Sequence, residues 1–370
     1  MTFLLSINFI ESDKFYQGEY YYLLLSSLLG ALVVSSSRDL LTIFIGIELA
    51  STPMFLLSGW KKGDRKSNEG AIKFFLLGVL SASLILYGFS LIYGLTGQLV
   101  FADISAYLLA NSLGSSPVLL LSAILVISGI GFKISVVPFH SWAPDTYEGA
   151  PLPITAYLSV SSKATGFVAL IVLLTKVFES SGQSWGVILA IVAGATMTLG
   201  NLVALQQTNP VRLLAYSSIS QAGFIIAPLA VSGITGNYQD GIFASVTYLI
   251  IYAFMNIGAF LSVHLFTNFT KSDNFYEWGG IAKHSPLTGV LTTVFFFSLA
   301  GIPPLGGWFA KFVVFRSLLS TGEIIGVSLA IVGAINAVIA LVYYARISKV
   351  IWMDELCLLY TSDAADDDRS

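Results

Sequence analysis

Ten stretches of apolar residues, separated mostly by short polar connections, run through most of the chain. Each approaches or exceeds the roughly 20 residues that an α-helix needs to cross the hydrocarbon core of a bilayer. They cover residues 20–37, 40–60, 71–95, 117–137, 154–178, 184–205, 213–232, 242–266, 286–315 and 324–351. The pattern predicts an all-α polytopic membrane protein with about ten transmembrane helices.

The fourth and ninth stretches contain residues that interrupt a helix, and each also carries a lysine. Gly129, Gly131 and Pro138 surround Lys133 in SGIGFKISVVPFHSWAPD, and glycines and prolines stand beside Lys311 in LAGIPPLGGWFAKF. Because glycine and proline weaken or break helices, we expect breaks near 129–133 and 301–307, at similar depths in the membrane. Two such segments at matching places in two halves are typical of a transport site.

The two interrupted stretches are five spans apart, which predicts two five-helix units, 20–178 and 184–352. An odd number of spans per unit makes the second unit inverted relative to the first. Residues 1–19 are interpreted as a lead-in at the start of a fragment, and residues 356–370 as a tail outside both units.

Composition agrees with a membrane protein and excludes several other classes. The chain is 55% hydrophobic and 11% charged, with a mean hydropathy of +0.81, whereas soluble domains have about 25% charged residues. A single cysteine, Cys357, excludes a disulfide framework and any multi-cysteine iron–sulfur or zinc site within this chain. No GxGxxG or phosphate-binding loop is present, so NADH is not expected to bind here. No cleavable signal peptide is evident.

Loop charges orient the predicted helices. Basic residues gather at connections that fall on one side of the membrane when the spans alternate, which we call the basic side. By the positive-inside rule this side, with both termini, is cytoplasmic. The basic residues are Lys61, Lys62, Arg65, Lys66, Arg212, Lys271, Lys283, Arg346 and Lys349, against little more than Arg38, Lys176 and Arg316 on the opposite side.

Apart from Lys176, Arg346 and Lys349 near the ends of their spans, five charged residues lie inside the predicted spans, where a charge costs about 3 kcal/mol even on the lenient insertion scale. They are Glu48, Lys73, Lys133, Lys163 and Lys311. For Lys73 and Lys133 an alternative is that the ammonium group extends to the membrane surface. For the deeper Glu48 and Lys163 the alternative is a buried ion pair that only orders the bundle. The functional interpretation is a chain of proton-carrying groups, because burial lowers the pKa of a lysine and a nearby carboxylate raises it.

The second half offers mainly neutral groups where the first half has charges. Its corresponding helices carry Gln221, Asn256 and Asn336, so the two halves cannot work identically. His264 either extends the proton path or caps its helix. His140 either belongs to the path or is a hydrated loop residue. These dispersed histidines have no metal-ligand spacing, and no metal site is expected.

The intramembrane charges also predict distances. Because an isolated buried carboxylate tends to be neutral, Glu48 is expected within about 10 Å of Lys73 or Lys133. Lys133, Lys163 and Lys311 are expected to line one polar layer near the bilayer midplane, with Lys163 joining the two halves.

Several motifs resemble one known family. FKISVVPFHSWAPDTYEGAPLPITAYLSVSSK is similar to the signature of the antiporter-like subunits of respiratory complex I and of Mrp-type antiporters. GIELASTPMFLLSGW, EGAIKFFLLG, NLVALQQTNPVRLLAYSSISQAGF and SLAGIPPLGGWFAKF resemble the subunit N, or chain 2, branch of that family, found in proton-pumping NADH:quinone oxidoreductase. The resemblance covers about 20–351 and is highly specific.

The resemblance implies a function and a set of site residues. The family carries its proton path on a glutamate and lysines, which fall motif by motif on Glu48, Lys73, Lys133, Lys163 and Lys311. It implies a translocase subunit, multi-pass in the bacterial inner membrane, whose partners are other membrane subunits of complex I, lipid and protons, and no nucleic acid. NADH, FMN, iron–sulfur clusters and quinone are then bound in other subunits, and this chain holds no cofactor.

The chain departs from the family pattern in three places, and other functions stay open. The family has fourteen helices, of which this chain resembles the fourth to the thirteenth. Gln221 stands where members often have histidine, and 356–370 match no family element, which suggests read-through beyond a gene fragment. The alternatives are an Mrp-type sodium/proton antiporter subunit, the membrane subunit of a membrane-bound hydrogenase, and a structural scaffold, which the buried charges argue against.

Overall fold

A computed structural model describes residues 2–11 and 18–355. The tail 356–370, with Cys357, lies outside the described residues, as does part of the lead-in 1–19. The helices are α1 (Thr2–Glu11), α2 (Glu19–Ser36), α3 (Leu40–Ser58), α4 (Arg65–Thr96), α5 (Phe101–Ala110), α6 (Pro117–Lys133), α7 (Trp142–Gly149), α8 (Leu152–Tyr157), α9 (Lys163–Lys176), α10 (Gly182–Ala204), α11 (Pro210–Thr235), α12 (Tyr238–Thr270), α13 (Ile281–His284), α14 (Pro286–Ala300), α15 (Gly306–Leu319) and α16 (Ile324–Met353). A single π-helical segment, Leu158–Ser162, joins α8 to α9 in this part of the chain.

Helix starts follow local sequence signals. The Asp39 carboxylate accepts the Thr42 amide at 2.8 Å and so caps α3, and this hydrogen bond lowers the pKa of Asp39. Asn209 caps α11 in the same way, and Pro210 occupies the first helical position, where its missing N–H costs nothing. The loops that connect the spans therefore also fix where each span begins.

The prediction of an all-α membrane protein is confirmed. Eight helical segments within the described residues are long and apolar enough to cross a membrane. They are Glu19–Ser36, Leu40–Ser58, Arg65–Thr96, Leu152–Lys176, Glu179–Ala204, Pro210–Thr235, Tyr238–Thr270 and Ile324–Met353. The other two of the ten predicted spans are the interrupted ones: 117–137 contains α6 and then irregular residues, and 286–315 contains α14 and most of α15.

Both interrupted spans are broken, but the first break is displaced from its predicted place. The helix α6 continues through 129–133 and ends only at Lys133, after which residues 134–141 are irregular. Gly129 serves packing instead: a Cβ there would lie 2.5 Å from Ile85. The second break, 301–305, falls where it was predicted.

The helices of the second half repeat the packing pairs of the first. In the first half α3 packs against α2, α4 and α9, and α4 packs against α6. In the second half α11 packs against α10, α12 and α16, and α12 packs against α14 and α15. We propose from this correspondence that 20–178 and 184–352 are two five-helix units with inverted orientation. The helix α11 is buried along almost its whole length and lies between them, since it also contacts α7.

Candidate proton path and its relatives

The first charged pair joins α3 to the end of α6. Lys133 Nζ lies 3.3 Å from Glu48 Oε1 and donates to Ser51 Oγ at 2.7 Å. Glu48 and Ser51 are three residues apart and therefore lie on one face of α3. The Lys133 side chain is 8% exposed and that of Glu48 is 28% exposed. The predicted proximity of Glu48 to Lys133 is confirmed, and Lys133 does not extend to the surface.

A small cavity continues from Lys133 towards α9. Its volume is about 10 Å³, close to the minimum that holds one water. Ser51 and Lys133 line one side, and Ser162 and Thr165 line the other. Lys163 lies between the latter two in sequence, so the cavity connects the Glu48–Lys133 pair to the helix that carries the next lysine.

Lys163 is the most deeply buried of the intramembrane lysines, at 1% exposure. It begins α9 directly after the π-helical segment. Its ammonium donates to the carbonyl oxygen of Ser218 at 3.0 Å and to the Ser218 hydroxyl at 2.9 Å. No carboxylate of the described residues lies within ion-pair distance of it, so the alternative of a buried ion pair is wrong for Lys163.

The path continues along α11 from Ser218 to Gln221, one turn further on the same face. Gln221 Nε2 donates to the carbonyl oxygen of Leu299 at 3.1 Å, and its Oε1 accepts from the Tyr248 hydroxyl. The Leu299 carbonyl also accepts from Lys311 Nζ at 3.2 Å. Gln221 and Lys311 therefore share one acceptor at the end of α14.

Lys311 binds the broken helix rather than a carboxylate. Its ammonium donates to the Ala300 carbonyl at 2.5 Å and lies 5.1 Å from the centre of the Phe224 ring. The last carbonyls of a helix carry partial negative charge, and an aromatic face also attracts a cation. Gly301 ends α14 with φ +93°, and a Cβ there would lie 2.7 Å from Lys311 Cδ. The break therefore creates both the acceptors and the space for Lys311.

A separate group of charges lies at the basic side, which we call the ionic cluster. Arg212 Nη1 contacts Asp145 Oδ1 and Glu148 Oε2, both at 2.8 Å. From α4, Lys73 contacts Asp145 at 2.6 Å and Lys66 contacts Glu148 at 2.8 Å. The cluster thus ties α7, which follows the first break, to both α4 and α11.

The two carboxylates of the ionic cluster are held in their charged form. Partial burial alone raises the pKa of Asp145, but hydrogen bonds from Lys73 and Arg212 outweigh it and lower the pKa below its ordinary value. The pKa of Glu148 is lowered in the same way, since hydrogen bonds from Lys66 and Arg212 outweigh its burial. Both groups lie on the short helix α7, beside the first turns of α4.

Comparison with known proteins identifies the family to which this chain belongs. A family profile described as NADH:quinone oxidoreductase/Mrp antiporter, TM, matches residues 37–338. The NADH-quinone oxidoreductase subunit N 2 of Rhizobium meliloti is 42% identical over 356 residues, which cover 96% of this chain and 72% of that relative. The chain belongs to the NADH:quinone oxidoreductase/Mrp antiporter family.

Solved structures in the same family share the fold. A chain of respiratory complex I from Thermus thermophilus is 30% identical, with a TM-score of 0.75 over 95% of this chain and 75% of that one. A chain of the archaeal membrane-bound sulfane sulfur reductase is 26% identical, with a TM-score of 0.82 over 95% and 70% of the two chains. Both belong to multi-subunit membrane complexes.

The remaining predicted residues of this antiporter-family chain fall at three places. Lys73 is 43% exposed and belongs to the ionic cluster, so it does not join the Glu48–Lys133 pair. Asn256 donates to Ser159 Oγ at 2.8 Å, within the π-helical segment before Lys163. Asn336 accepts from Asn201 at 3.0 Å, at the contact of α10 with α16 and away from the end of α14.

The two histidines lie in different parts of the fold. His140 lies in the first break and is partly buried, and its Nδ1 atom makes no hydrogen bond of ordinary geometry. His264 lies on α12 near the basic side, where Nε2 is 3.1 Å from Asn268 Nδ2. His140 is therefore placed in the first break, and His264 at the basic-side surface.

Sequence reasoning missed the neutral partners of the lysines in this family member. Ser51, Ser218 and the Leu299 carbonyl are the hydrogen-bond partners of these lysines, but serines and carbonyls occur along every span and give no local signal. Asp145 and Glu148 could have been found, because two acids three residues apart follow the first break, where one helical face presents both.

Proposed function

We propose that this chain is subunit N of a bacterial NADH:quinone oxidoreductase and moves protons across the inner membrane. Electron transfer from NADH to quinone then takes place in other subunits, and this chain itself carries no redox centre. Its partners are the other membrane subunits of the complex. The 42% identity to a subunit N over 96% of the chain supports this proposal.

One observation carries the mechanism: buried lysines of both halves belong to a nearly continuous series of polar contacts. Glu48 holds Lys133, the 10 Å³ cavity leads to the start of α9, and Lys163 binds Ser218. From there the route runs along α11 and through a shared carbonyl to Lys311. Each lysine can hold or release one proton, and serine hydroxyls or single waters can pass it on.

Within this proposal the residues have different roles. Glu48, Lys133, Lys163 and Lys311 carry protons, and Gln221 links the lysine sites through hydrogen bonds. Asn256, Asn336, His140 and His264 border the route as secondary polar groups. Lys73 is assigned to the ionic cluster, where its two acidic neighbours, Glu69 and Asp145, fix its charge.

A second candidate is the membrane subunit of another complex in the family. The TM-score to the sulfane sulfur reductase chain, 0.82, exceeds that to the complex I chain, 0.75. Sequence identity points the other way, at 26% against 30%. Because several complexes of the family share the fold, the TM-score does not distinguish between them. The sequence identity to subunit N favours the NADH:quinone oxidoreductase.

The replacement of Lys163 tests the proposal. Lys163→Met removes the proton carrier and keeps the length and apolar character of the side chain, so the fold is expected to persist. Lys163→Arg is also expected to fail, because a guanidinium group does not release its proton. In the assembled complex, both variants should lower coupled proton transport at least about a hundredfold, the lower end of the range for loss of a proton-transfer group.

The matched control is Lys283→Met, because Lys283 is exposed on α13. Quinone reduction and proton transport are measured on the same proteoliposomes, with assembly confirmed by subunit composition. Full proton transport by both Lys163 variants would contradict the role of this lysine and confine the route to Glu48 and Lys133.

A further inference from the structure

A large polar cavity opens at the basic side next to α7. It has a volume of about 410 Å³ and is enclosed by the loop before α4 and by α7, α11 and α12. Charged and polar residues line much of it, among them Lys61, Lys66, Glu148, Tyr147, His264 and Thr267. Its size and lining suit several water molecules, each with two or more polar partners.

Two buried hydroxyl groups at this cavity lack a normal hydrogen bond. The Thr267 Oγ1 atom is buried without a partner, and so is the Tyr147 hydroxyl oxygen. A buried hydroxyl without a hydrogen bond costs about 1–3 kcal/mol. Water in the cavity would satisfy both groups, which gives a physical reason for the cavity to be hydrated.

Tyr147 also lies next to the partner of the buried lysine. Its side chain is 1% exposed, and its hydroxyl lies within interaction range of Ser218 without a hydrogen bond of ordinary geometry. The Ser218 hydroxyl in turn accepts from Lys163 at 2.9 Å. Tyr147 is therefore the side chain that separates the 410 Å³ cavity from the Lys163 site.

The ionic cluster holds Tyr147 in this position. Asp145 and Glu148 flank it on α7, and both contact Arg212 on α11 at 2.8 Å. The ring also packs edge-on against Trp142 at 6.1 Å and Phe260 at 6.2 Å between ring centres. These contacts fix the ring, so that its hydroxyl remains beside α11.

We propose that this cavity is the basic-side proton entrance of the chain and that the Tyr147 hydroxyl relays protons from it to Lys163. This inference rests on the proposed function, because it takes Lys163 as a proton carrier. A hydronium ion in the cavity gives a proton to the Tyr147 oxygen while Tyr147 passes its own to Ser218. Ser218 passes its proton to the neutral amine of Lys163, which becomes an ammonium. Both hydroxyls end unchanged, and the hydronium becomes water.

The first test is Tyr147→Phe in the assembled complex. Phenylalanine keeps the ring contacts and removes only the hydroxyl, so the relay loses its first member. Coupled proton transport in proteoliposomes is expected to fall at least about a hundredfold, as for other lost proton-transfer groups. Tyr20→Phe is the matched control, since Tyr20 is also fully buried but its hydroxyl bonds Ser6, far along the chain from this route.

Lys163→Met in the same series separates two failures. If Lys163→Met abolishes transport while Tyr147→Phe transports normally, the relay is wrong and the proposed function stands. If Lys163→Met also transports normally, the proposed function itself fails. A loss of transport in both, with Tyr20→Phe unaffected, supports the relay.

A second test examines the cavity without removing Tyr147. A cysteine is introduced by Thr267→Cys in a Cys357→Ser background of the assembled complex, and the membrane-impermeant reagent methanethiosulfonate ethyltrimethylammonium is added to either side of sealed vesicles. Labelling from the basic side only, with loss of proton transport once the cavity is filled, is expected. Absence of labelling, or labelling without any effect on transport, would overturn the assignment of this cavity as the entrance.

Discussion

The three buried lysines have chemically different partners. Lys133 meets a carboxylate and a hydroxyl, and Lys163 meets a hydroxyl and a carbonyl of one residue. Lys311 meets two carbonyls and an aromatic face. Only the first of these sites has a partner that changes its charge by titration, so the three sites are not equivalent steps of a uniform relay.

Glu48→Gln tests that difference at the residue scale. The amide keeps the size of the side chain and its oxygen can still accept from Lys133, but it carries no charge and cannot titrate. Proton transport is expected to fall by more than the amount of assembled complex falls. Transport per assembled complex is compared with that of Glu277→Gln, an exposed glutamate, and equal values would reduce Glu48 to a structural role.

The charge of Glu48 made the Lys133 site predictable from the sequence, whereas the uncharged partners of Lys163 and Lys311 gave no such signal. The sequence predicts that Glu48 lies near Lys73 or Lys133, because an intramembrane carboxylate needs a cation and few are available. Ser218 could not be assigned to Lys163, since serines occur throughout the spans. The Leu299 carbonyl became an acceptor only through the shape of the break, which no side-chain pattern encodes.

At the scale of elements, a helix break is used differently in the two halves. In the first, Lys133 is the last residue of α6, before the irregular segment. In the second, Lys311 lies on α15, after the break, and returns to the end of α14. The sequence predicted both breaks from glycine and proline but misplaced the first, because Gly129 permits the close contact of α6 with α4, where Ser81 Oγ donates to its carbonyl at 2.7 Å.

Gly301→Ala tests whether the second break shapes the Lys311 site. Gly301 and Gly322 both have positive φ, +93° and +68°, but only at Gly301 would a Cβ meet Lys311. Gly322→Ala should cost about 1–2 kcal/mol of left-handed strain, with transport retained. Gly301→Ala should cost more and also impair transport, measured by thermal unfolding and proton uptake of the purified complex; equal effects of both variants would contradict this.

At the scale of the whole molecule, the ionic cluster is the charged contact between the proposed units. Asp145 and Glu148 belong to the first unit and Arg212 to the second. Arg212→Gln leaves the partly buried Asp145 and Glu148, with exposures of 28% and 17%, each with only a lysine partner from α4. We expect the stability of the subunit in the complex to fall by about 1–3 kcal/mol, a value between those for exposed and for buried ion pairs.

Lys66→Gln is the control for Arg212→Gln, because Lys66 is 63% exposed and its pair should contribute at most about 1 kcal/mol. The temperature at which the subunit leaves the complex reports the loss of stability in both variants. Equal losses in Lys66→Gln and Arg212→Gln would contradict the role of Arg212 in bridging the two units. The pKa values of Asp145 and Glu148 are lowered in the folded chain. Their stabilisation is therefore complete above about pH 5 and is lost as the pH falls through the lowered pKa values.

The carbonyl partners of Lys311 limit how that site can be regulated. A carboxylate such as Glu48 can be neutralised by one proton, so its hold on a lysine can be turned off chemically. The Leu299 and Ala300 carbonyls do not titrate, and they release the ammonium only when the end of α14 moves relative to α15. The Lys133 site in the first half can therefore be controlled by protonation of Glu48, whereas the Lys311 site in the second half can be controlled only by displacement of a helix end.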